Sequence, residues 1–200
     1  MANTKKLLKH VYTPKVIAGF ATTAKPGRNK GSRGQKNETL MGIPNSSNLT
    51  DGENFEYKSF TSGQSIKVTM LNHCLEDIIE DSVEFSGSKV GIKLQQTWYT
   101  GYGKDGEMLG NVIVNPQTDP EHYQKLEEDF AFISSRIKAS YRGGTTLGTI
   151  TGPNKLLQIR TAASKRKSGG YKPLEYKGKE LKDKGMAFFL CGKFGRELFS

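Results

Sequence analysis

The order of its predicted elements places this 200-residue chain in the α+β class, with a mixed sheet as its framework. Three observations lead to this prediction. Short strand-like runs are separated by turns rich in glycine, one long amphipathic helix interrupts them, and helices and strands alternate in blocks along the chain. A chain of this length can bury a substantial core, and no clear linker divides it, so we predict one domain over residues 1–200.

The first half of the chain predicts a short helix, a basic loop, a second helix and several strands. The helices are expected at 3–10 and 35–41, with the loop at 21–34 between them. Gly42 follows the second helix, as is favoured at a helix C-terminus. β-Branched and aromatic runs predict strands at 55–60, 65–71, 90–98 and 111–114, with turns at 62–64 and 101–110.

Residues 119–138 show the clearest helical pattern. Asp119 caps the segment and Pro120 suits the first helical position. Apolar residues recur at three- and four-residue steps and predict a buried stripe: Tyr123, Leu126, Phe130, Ile133 and Ile137. Beyond it we predict a hairpin of 146–151 and 156–161, a basic loop at 163–173, a buried strand at 186–190 and a terminal helix at 193–199.

The charge predicts a polyanionic partner. Thirty Lys and Arg residues against twenty Asp and Glu residues give a formal net charge of +10. The bases concentrate in residues 1–37, which have no acid, and in 155–184. This pattern favours nucleic acid, although a solubilising surface has the same composition. The sequence lacks an apolar run that suits a membrane span or a signal peptide, so we expect no membrane partner and a cytoplasmic location. Cys74 and Cys191 fit a reducing compartment better than a disulfide framework or a zinc site.

Asp51, Glu56 and Lys58 form a candidate catalytic group. In a strand, Glu56 and Lys58 point to the same face, and a short turn can bring Asp51 alongside Glu56. Two carboxylates can hold Mg²⁺, which keeps water and phosphate oxygens as its other ligands. The metal would activate a water that Lys58 orients or deprotonates, as phosphodiester hydrolysis requires. Alone, the pattern also fits an exposed strand with a Glu–Lys pair of little energetic value.

The preceding segment extends this pattern, and the whole resembles the MutH family of mismatch-repair nicking endonucleases and related type II restriction enzymes. The matching residues are Asn29-Lys30-Gly31, Gly34, Gln35, Glu38, Asp51, Glu56 and Lys58. Further matches follow in the family's order, at 110–112, Asn115-Pro116, 127–129, 157–160, 188–190 and Phe194. The resemblance therefore covers about residues 29–199.

The resemblance implies a restriction-endonuclease-like fold: a mixed sheet flanked by helices, with a catalytic lobe of about residues 1–100 and a DNA-contacting lobe of about 101–200 around a DNA cleft. It implies Mg²⁺-dependent, sequence-specific cleavage of double-stranded DNA to 5′-phosphate and 3′-hydroxyl ends, with Mn²⁺ as a substitute metal. The implied catalytic residues are Asp51, Glu56, Lys58 and Glu38, of which Asp51 and Glu56 hold the metal. The implied DNA contacts are Lys30, Gly34, Gln35, Lys89, Arg160, Lys165, Arg166, Lys167 and Phe189.

The chain departs from the family at three points. The interval from Asp51 to Glu56 is shorter, so Glu53 is an alternative first carboxylate. Phe189 stands where the repair enzyme has a tyrosine thought to sense adenine methylation. Thr161 or Ala162 replaces the basic residue that follows the family's Gln-Ile-Arg, which leaves the recognised DNA sequence open.

The missing tyrosine argues against a methylation-directed repair enzyme and favours a type II restriction enzyme, as a monomer or homodimer, of bacterial, phage or viral origin. One alternative is a repair-type nicking endonuclease, which would need a MutL-type partner. Another is a non-catalytic basic protein that binds DNA or RNA. This protein would not require Asp51, Glu56 and Lys58 to converge, so a divalent-metal requirement separates it from the enzymes. A third is a catalytically inactive relative, because the shortened interval could misplace Asp51.

Overall fold

A computed structural model describes residues 32–44, 48–51, 55–80, 83–163 and 165–199. The predicted helix at 3–10, Lys30 and Glu53 lie outside these residues. The chain forms two compact units. The first comprises the described residues up to Ile66, those of Lys93–Pro120 and those from Gly192 onward; the second comprises those of Lys67–Ile92 and Glu121–Cys191. Helices combined with parallel and antiparallel strands confirm the α+β class. The predicted lobe boundaries stay a prediction.

The helices and strands alternate in blocks, as the sequence predicts. In chain order they are α1 (Ser32–Leu40), β1 (Glu56–Thr61), β2 (Ile66–Met70), α2 (Leu75–Ile79), α3 (Lys89–Gln95), β3 (Thr97–Tyr102), β4 (Met108–Val114), α4 (Pro120–Gly143), β5 (Ile150–Thr151), β6 (Leu157–Thr161), β7 (Pro173–Tyr176), β8 (Lys179–Lys184), β9 (Met186–Leu190) and α5 (Gly192–Glu197). Short 3₁₀ turns lie at Leu71–His73 and Phe85–Gly87. Among the described residues, no helix is long and apolar enough to cross a bilayer.

The first unit contains a three-stranded sheet in the order β1-β3-β4. Strand β1 runs parallel to β3, with Glu56 opposite Thr97, and β3 runs antiparallel to β4. Aromatic side chains fill the core beside this sheet: the ring centroid of Tyr99 lies 6.0 Å from that of Phe60 and 5.4 Å from that of Phe194 on α5. The predicted turn after β1 is present, but β2 belongs to a different sheet, so the two strands do not pair as a hairpin.

The second unit is built on a four-stranded sheet in the order β2-β9-β6-β5, with β7 and β8 forming a separate hairpin. Helix α4 buries Leu126, Phe130, Ile133 and Ile137, which confirms the predicted apolar stripe, and Tyr123 at its start is half-buried. Phe130 contacts Phe188 of β9 with ring centroids 5.8 Å apart. The buried strand predicted at 186–190 is confirmed. The hairpin across Gly152-Pro153-Asn154 is present, but its first strand covers only Ile150–Thr151 of the predicted 146–151.

The strand predicted at 90–98 is wrong, because most of that segment forms helix α3. Its apolar residues alternate as in a strand, but Val90 and Leu94 are also four residues apart and both are buried. The Ser88 hydroxyl accepts the backbone N–H of Gly91 at 3.0 Å, a side-chain cap at the helix start. Strand β3 begins only at Thr97 and includes Gly101, which was predicted in a turn.

Two further segments differ from the sequence prediction. Residues 32–34, predicted as the end of a loop, begin helix α1. The hairpin of β7 and β8 was not predicted. Lys177 and Gly178 connect its strands with φ values of 48° and 73°. Positive φ at both central residues is what a type I′ hairpin turn requires.

Candidate active site

Three of the predicted catalytic residues meet at the start of strand β1 in the first unit. The strand holds Glu56 and Lys58 two residues apart, and their side chains form an ion pair. Asp51 lies before the strand, and its Oδ2 accepts the backbone N–H of Tyr57 at 2.8 Å. This bond anchors the Asp51 carboxylate beside the first residues of β1.

Glu56 is the buried centre of the group, with 2% of its surface exposed. A buried carboxylate needs positive partners, and Glu56 has two. Besides Lys58, the ammonium of Lys93 on α3 donates to both carboxylate oxygens at 2.9 Å. Sequence reasoning missed Lys93 because its segment was predicted as a strand. Ser88, a residue type favoured at helix N-termini, could have indicated that Lys93 lies on a helix.

Glu38 on helix α1 joins the group electrostatically. Burial raises the pKa of its carboxyl, the negative charges of Asp51 and Glu56 raise it further, and Lys58 opposes them. These charges act on Glu38 only because the three side chains lie near it. Gly34 is one turn earlier on the same helix, and a Cβ there would lie 3.7 Å from Glu38 Oε1, an ordinary contact. Helix α1 begins at Ser32, three residues before the predicted start at Gln35, so Gly34 lies within its first turn.

A buried hydrogen-bond network connects helix α1 to the sheet. Asn37 donates from Nδ2 to the hydroxyls of Tyr57 at 2.7 Å and Tyr102 at 2.9 Å. The Tyr57 hydroxyl donates to Thr100 Oγ1 at 2.9 Å, which in turn donates to Asn111 Oδ1 at 2.5 Å. Satisfied buried networks hold elements in one arrangement. This network positions Asn37, and so the adjacent Glu38, relative to β1.

Arg33 belongs to the same support rather than to a basic surface. Its guanidinium lies 4.2 Å from the ring centroid of Tyr102 and donates to Thr61 Oγ1 at 2.9 Å. Burial is the main cause that lowers its pKa. One of the nine bases in the acid-free segment thus has a structural role.

The proposed DNA contacts on α1 and α3 lie in different settings. Gln35 is exposed on helix α1. Lys89, which directly precedes the strand predicted at 90–98, is the first residue of helix α3, and its backbone N–H donates to Asp77 Oδ2 at 3.1 Å.

Arg160 and Phe189 form a pair on the sheet of the second unit. The Arg160 guanidinium lies 4.3 Å from the ring centroid of Phe189. Because Arg160 is paired with Ala187, Phe189 is its diagonal neighbour across β6 and β9. Phe189 is only 8% exposed. Its ring therefore supports the arginine more than it offers a surface to a ligand.

The three basic residues at 165–167 are exposed in the second unit. Lys165 forms an isolated antiparallel bridge with Tyr171, which closes a turn between them. Arg166 lies 3.1 Å from a carboxylate oxygen of Glu180. The segment predicted as a basic loop is thus closed by backbone pairing.

The oxygen donors of the site suit a hard cation. In the described part of the chain, no group of three or more His, Cys, Asp and Glu side chains is arranged to hold a metal. Mg²⁺, however, is commonly held by one or two carboxylates, with water and substrate phosphates as its other ligands. Asp51 and Glu56 fit this smaller requirement. The two lysines on Glu56 would compete with the metal for its oxygens.

No protein-family model matches the chain, and no curated protein sequence matches it. The functional interpretation therefore depends on the geometry and charge of the site.

Proposed function

We propose that this protein is a Mg²⁺-dependent, sequence-specific DNA endonuclease of the type II restriction kind, with a restriction-endonuclease-like fold. The observation that carries the proposal is the convergence of Asp51, Glu56 and Lys58, with Glu38 close enough for its pKa to respond to all three. A chance Glu-x-Lys strand would not need a carboxylate anchored beside it and a second one on a neighbouring helix.

Each side chain of the site would have a separate role in phosphodiester hydrolysis. Asp51 and Glu56 would hold the metal, which supplies Lewis-acid stabilisation for the charge that develops on the phosphate. Lys58 would orient the attacking water by donating a hydrogen bond to it. Glu38 is suited to accept the water's proton, because its raised pKa makes it a better base than an ordinary carboxylate. Lys93 would balance the buried negative charge of Glu56.

The net charge of +10 supports DNA as the substrate. Arg160, held against Phe189, has a defined position and could donate two parallel hydrogen bonds to a guanine edge or contact a phosphate. Lys165 and Lys167 are exposed and suit phosphates. The protein would act in the cytoplasm of a bacterium or on phage or viral DNA, and Mn²⁺ would substitute for Mg²⁺. A monomer would nick or cut strands in turn, whereas a symmetric dimer would cut a palindrome.

Plasmid cleavage tests the proposal. Unmethylated plasmid is incubated with the protein in Mg²⁺ and in EDTA, beside Lys58→Ala and the control Lys104→Ala, which removes an equal charge from an exposed turn of the same unit. Discrete fragments in Mg²⁺ that Lys58→Ala loses and Lys104→Ala keeps would support the endonuclease. Nicked circles alone would favour the repair-type nicking endonuclease, with a MutL-type partner. Absence of cleavage on several DNAs would refute the enzyme.

One observation favours a non-catalytic basic DNA-binding protein as the second candidate. Glu56 already has two ammonium partners, so its charge is balanced without a metal. In that case DNA binding would be unaffected by EDTA and by Glu56→Gln, and cleavage would be absent.

A further inference from the structure

An exposed tyrosine of the second unit has two lysines as neighbours. Tyr171 is 47% exposed, although tyrosine usually buries most of its ring. The ammonium of Lys184 lies 4.7 Å from the ring centroid, and Lys165 is the antiparallel bridge partner of Tyr171. Both lysines are exposed. The Lys184 ammonium lies against the exposed ring. Lys165 is directly opposite Tyr171 in the bridge, so its side chain leaves the backbone on the same face, and the three residues form one solvent-facing cluster.

The acidic residues nearby do not neutralise this cluster. Residues 165–184 contain eight bases and three acids. Glu180 pairs with Arg166, Glu175 lies 4.0 Å from Lys172, and Asp183 accepts the backbone N–H of Leu147. Within the described part of the chain, neither Lys165 nor Lys184 forms an ion pair with a carboxylate. The surface around Tyr171 is thus positive, and its cations are available to an anion.

Backbone bonds fix the chain on both sides of Tyr171 before any ligand binds. The Arg166 N–H donates to the Gly170 carbonyl at 3.0 Å, and the Gly169 N–H donates to the Arg166 carbonyl at 3.1 Å. Gly169 and Gly170 have φ values of 88° and 70°, which glycine adopts without strain. On the other side, the Gly185 N–H donates to the Lys172 carbonyl at 2.8 Å. A backbone fixed in this way loses little conformational entropy when the ring binds a ligand.

We propose that Tyr171, Lys165 and Lys184 form a binding site for an unpaired nucleobase and its flanking phosphates. Cations alone are enough to bind phosphates, but an exposed ring among cations adds a π face. The complementary surface is the face of a base, which duplex DNA covers by stacking and single-stranded DNA exposes. The ligand is therefore single-stranded or locally unpaired DNA. This goes beyond duplex cleavage and rests on the proposed function only in taking DNA as the polyanion.

Equilibrium binding of DNA in EDTA tests the site without cleavage. The probes are a short fluorescein-labelled oligothymidylate and a labelled duplex, measured by fluorescence anisotropy. Tyr171→Ala should weaken oligothymidylate binding about tenfold, because stacking of one base on an aromatic ring contributes on this order. Tyr171→Phe should keep the affinity. Phe132→Ala is the matched control, because Phe132 is also an exposed ring with an arginine 5.5 Å away, but on helix α4.

Salt dependence separates stacking from phosphate contact. Lys184→Ala should reduce the slope of log K against log salt on the oligothymidylate by about 0.7, the value for one phosphate contact on a single strand. Tyr171→Ala should leave that slope unchanged while it lowers the affinity. Thermal melting checks that each variant is folded.

Two results would overturn the proposal. If Tyr171→Ala binds oligothymidylate as the wild type does, the ring has no role in binding. If it weakens duplex and oligothymidylate equally, the ring contacts duplex DNA and not an unpaired base. Failure of the endonuclease proposal is distinct from both, because it would appear as absent cleavage in Mg²⁺ with Tyr171-dependent binding intact.

Discussion

Replacing Lys93 with methionine tests whether Glu56 is a metal ligand. The substitution keeps most of the side-chain volume but removes the ammonium that donates two 2.9 Å hydrogen bonds to Glu56. The substitution would leave the buried Glu56 side chain with only Lys58 as a partner. We therefore expect Lys93→Met to lose stability in the absence of metal.

The loss can be sized from the contacts. Removing one partner of a buried ion pair costs about 3–5 kcal/mol, and a hydrogen bond to a charged group contributes about 1.5–3 kcal/mol. Because Lys58 remains on Glu56 and Lys93 is partly exposed, we expect about 2–3 kcal/mol. In the wild type, Mg²⁺ has to compete with two ammonium groups, whereas in Lys93→Met it meets only one.

Urea unfolding with and without Mg²⁺ measures both effects. A ligand that binds only the folded state stabilises it by about 2.7 kcal/mol at a hundred times its dissociation constant. Mg²⁺ should therefore stabilise Lys93→Met more than the wild type and recover much of the loss. Adding Asp51→Asn should abolish this recovery, and Lys104→Met should behave as the wild type.

Two outcomes would refute this reasoning. Unchanged stability of Lys93→Met would show that the ion pair contributes nothing. A loss that Mg²⁺ does not repair would show that Glu56 is a structural carboxylate and would favour the non-catalytic candidate.

Three further predictions concern buried or half-buried acids and a thiol. Asp129→Asn should cost about 3 kcal/mol in urea unfolding, because the buried Asp129 carboxylate accepts the backbone N–H groups of Asn154, Leu156 and Leu157 at 2.7–2.9 Å. Glu38→Gln should raise the thermal midpoint at neutral pH: the raised pKa means that the ionised carboxyl disfavours the folded state, and this gain should fade as the pH falls to the ordinary value of 4.5. Cys191 should react slowly with iodoacetamide at pH 8, since burial, with the charge of Asp129, raises its pKa to about 11; mass spectrometry should show the rate rising about tenfold per pH unit.

Each of these has a matched control. Glu127→Gln and Glu107→Gln change exposed carboxylates and should leave stability near the wild-type value. The urea-unfolded chain should alkylate at the rate of an ordinary thiol. The reasoning fails if Asp129→Asn matches Glu127→Gln, if the gain from Glu38→Gln grows below pH 4.5, or if folded and unfolded Cys191 react at equal rates.

Helices and strands whose apolar residues follow a single clear pattern were predicted well. In helix α4, a capping aspartate, a proline and a five-residue apolar stripe all indicate the same structure, and strand β9 is a short, wholly apolar run. Helix α3 was misassigned because Val90, Ile92 and Leu94 fit a strand as well as a helix. Its Ser88 cap, and the neighbours that bury Val90 and Leu94, settle the choice.

In the candidate site, too, local contacts were predictable from the sequence and long-range contacts were not. The spacing of Glu56 and Lys58 in a strand placed both on one face, and a short connection placed Asp51 near them. Lys93 is 37 residues away from Glu56 and has no local signal that connects the two. The same is true of the bonds from Asn37 to Tyr57 and Tyr102, which hold Glu38 in place.

Composition and local patterns along the chain were enough to predict the basic charge, the α+β class, the apolar stripe of helix α4 and the shared face of Glu56 and Lys58. These features depend on amino-acid composition and on the 3.6-residue period of a helix or the two-residue period of a strand, which residues close together in sequence determine. Only the tertiary structure revealed three other features. These are the parallel pairing of β1 with β3, the second ammonium group on Glu56 and the aromatic ring against Arg160. Such contacts join residues far apart in sequence, and they are selected by how the core packs as a whole.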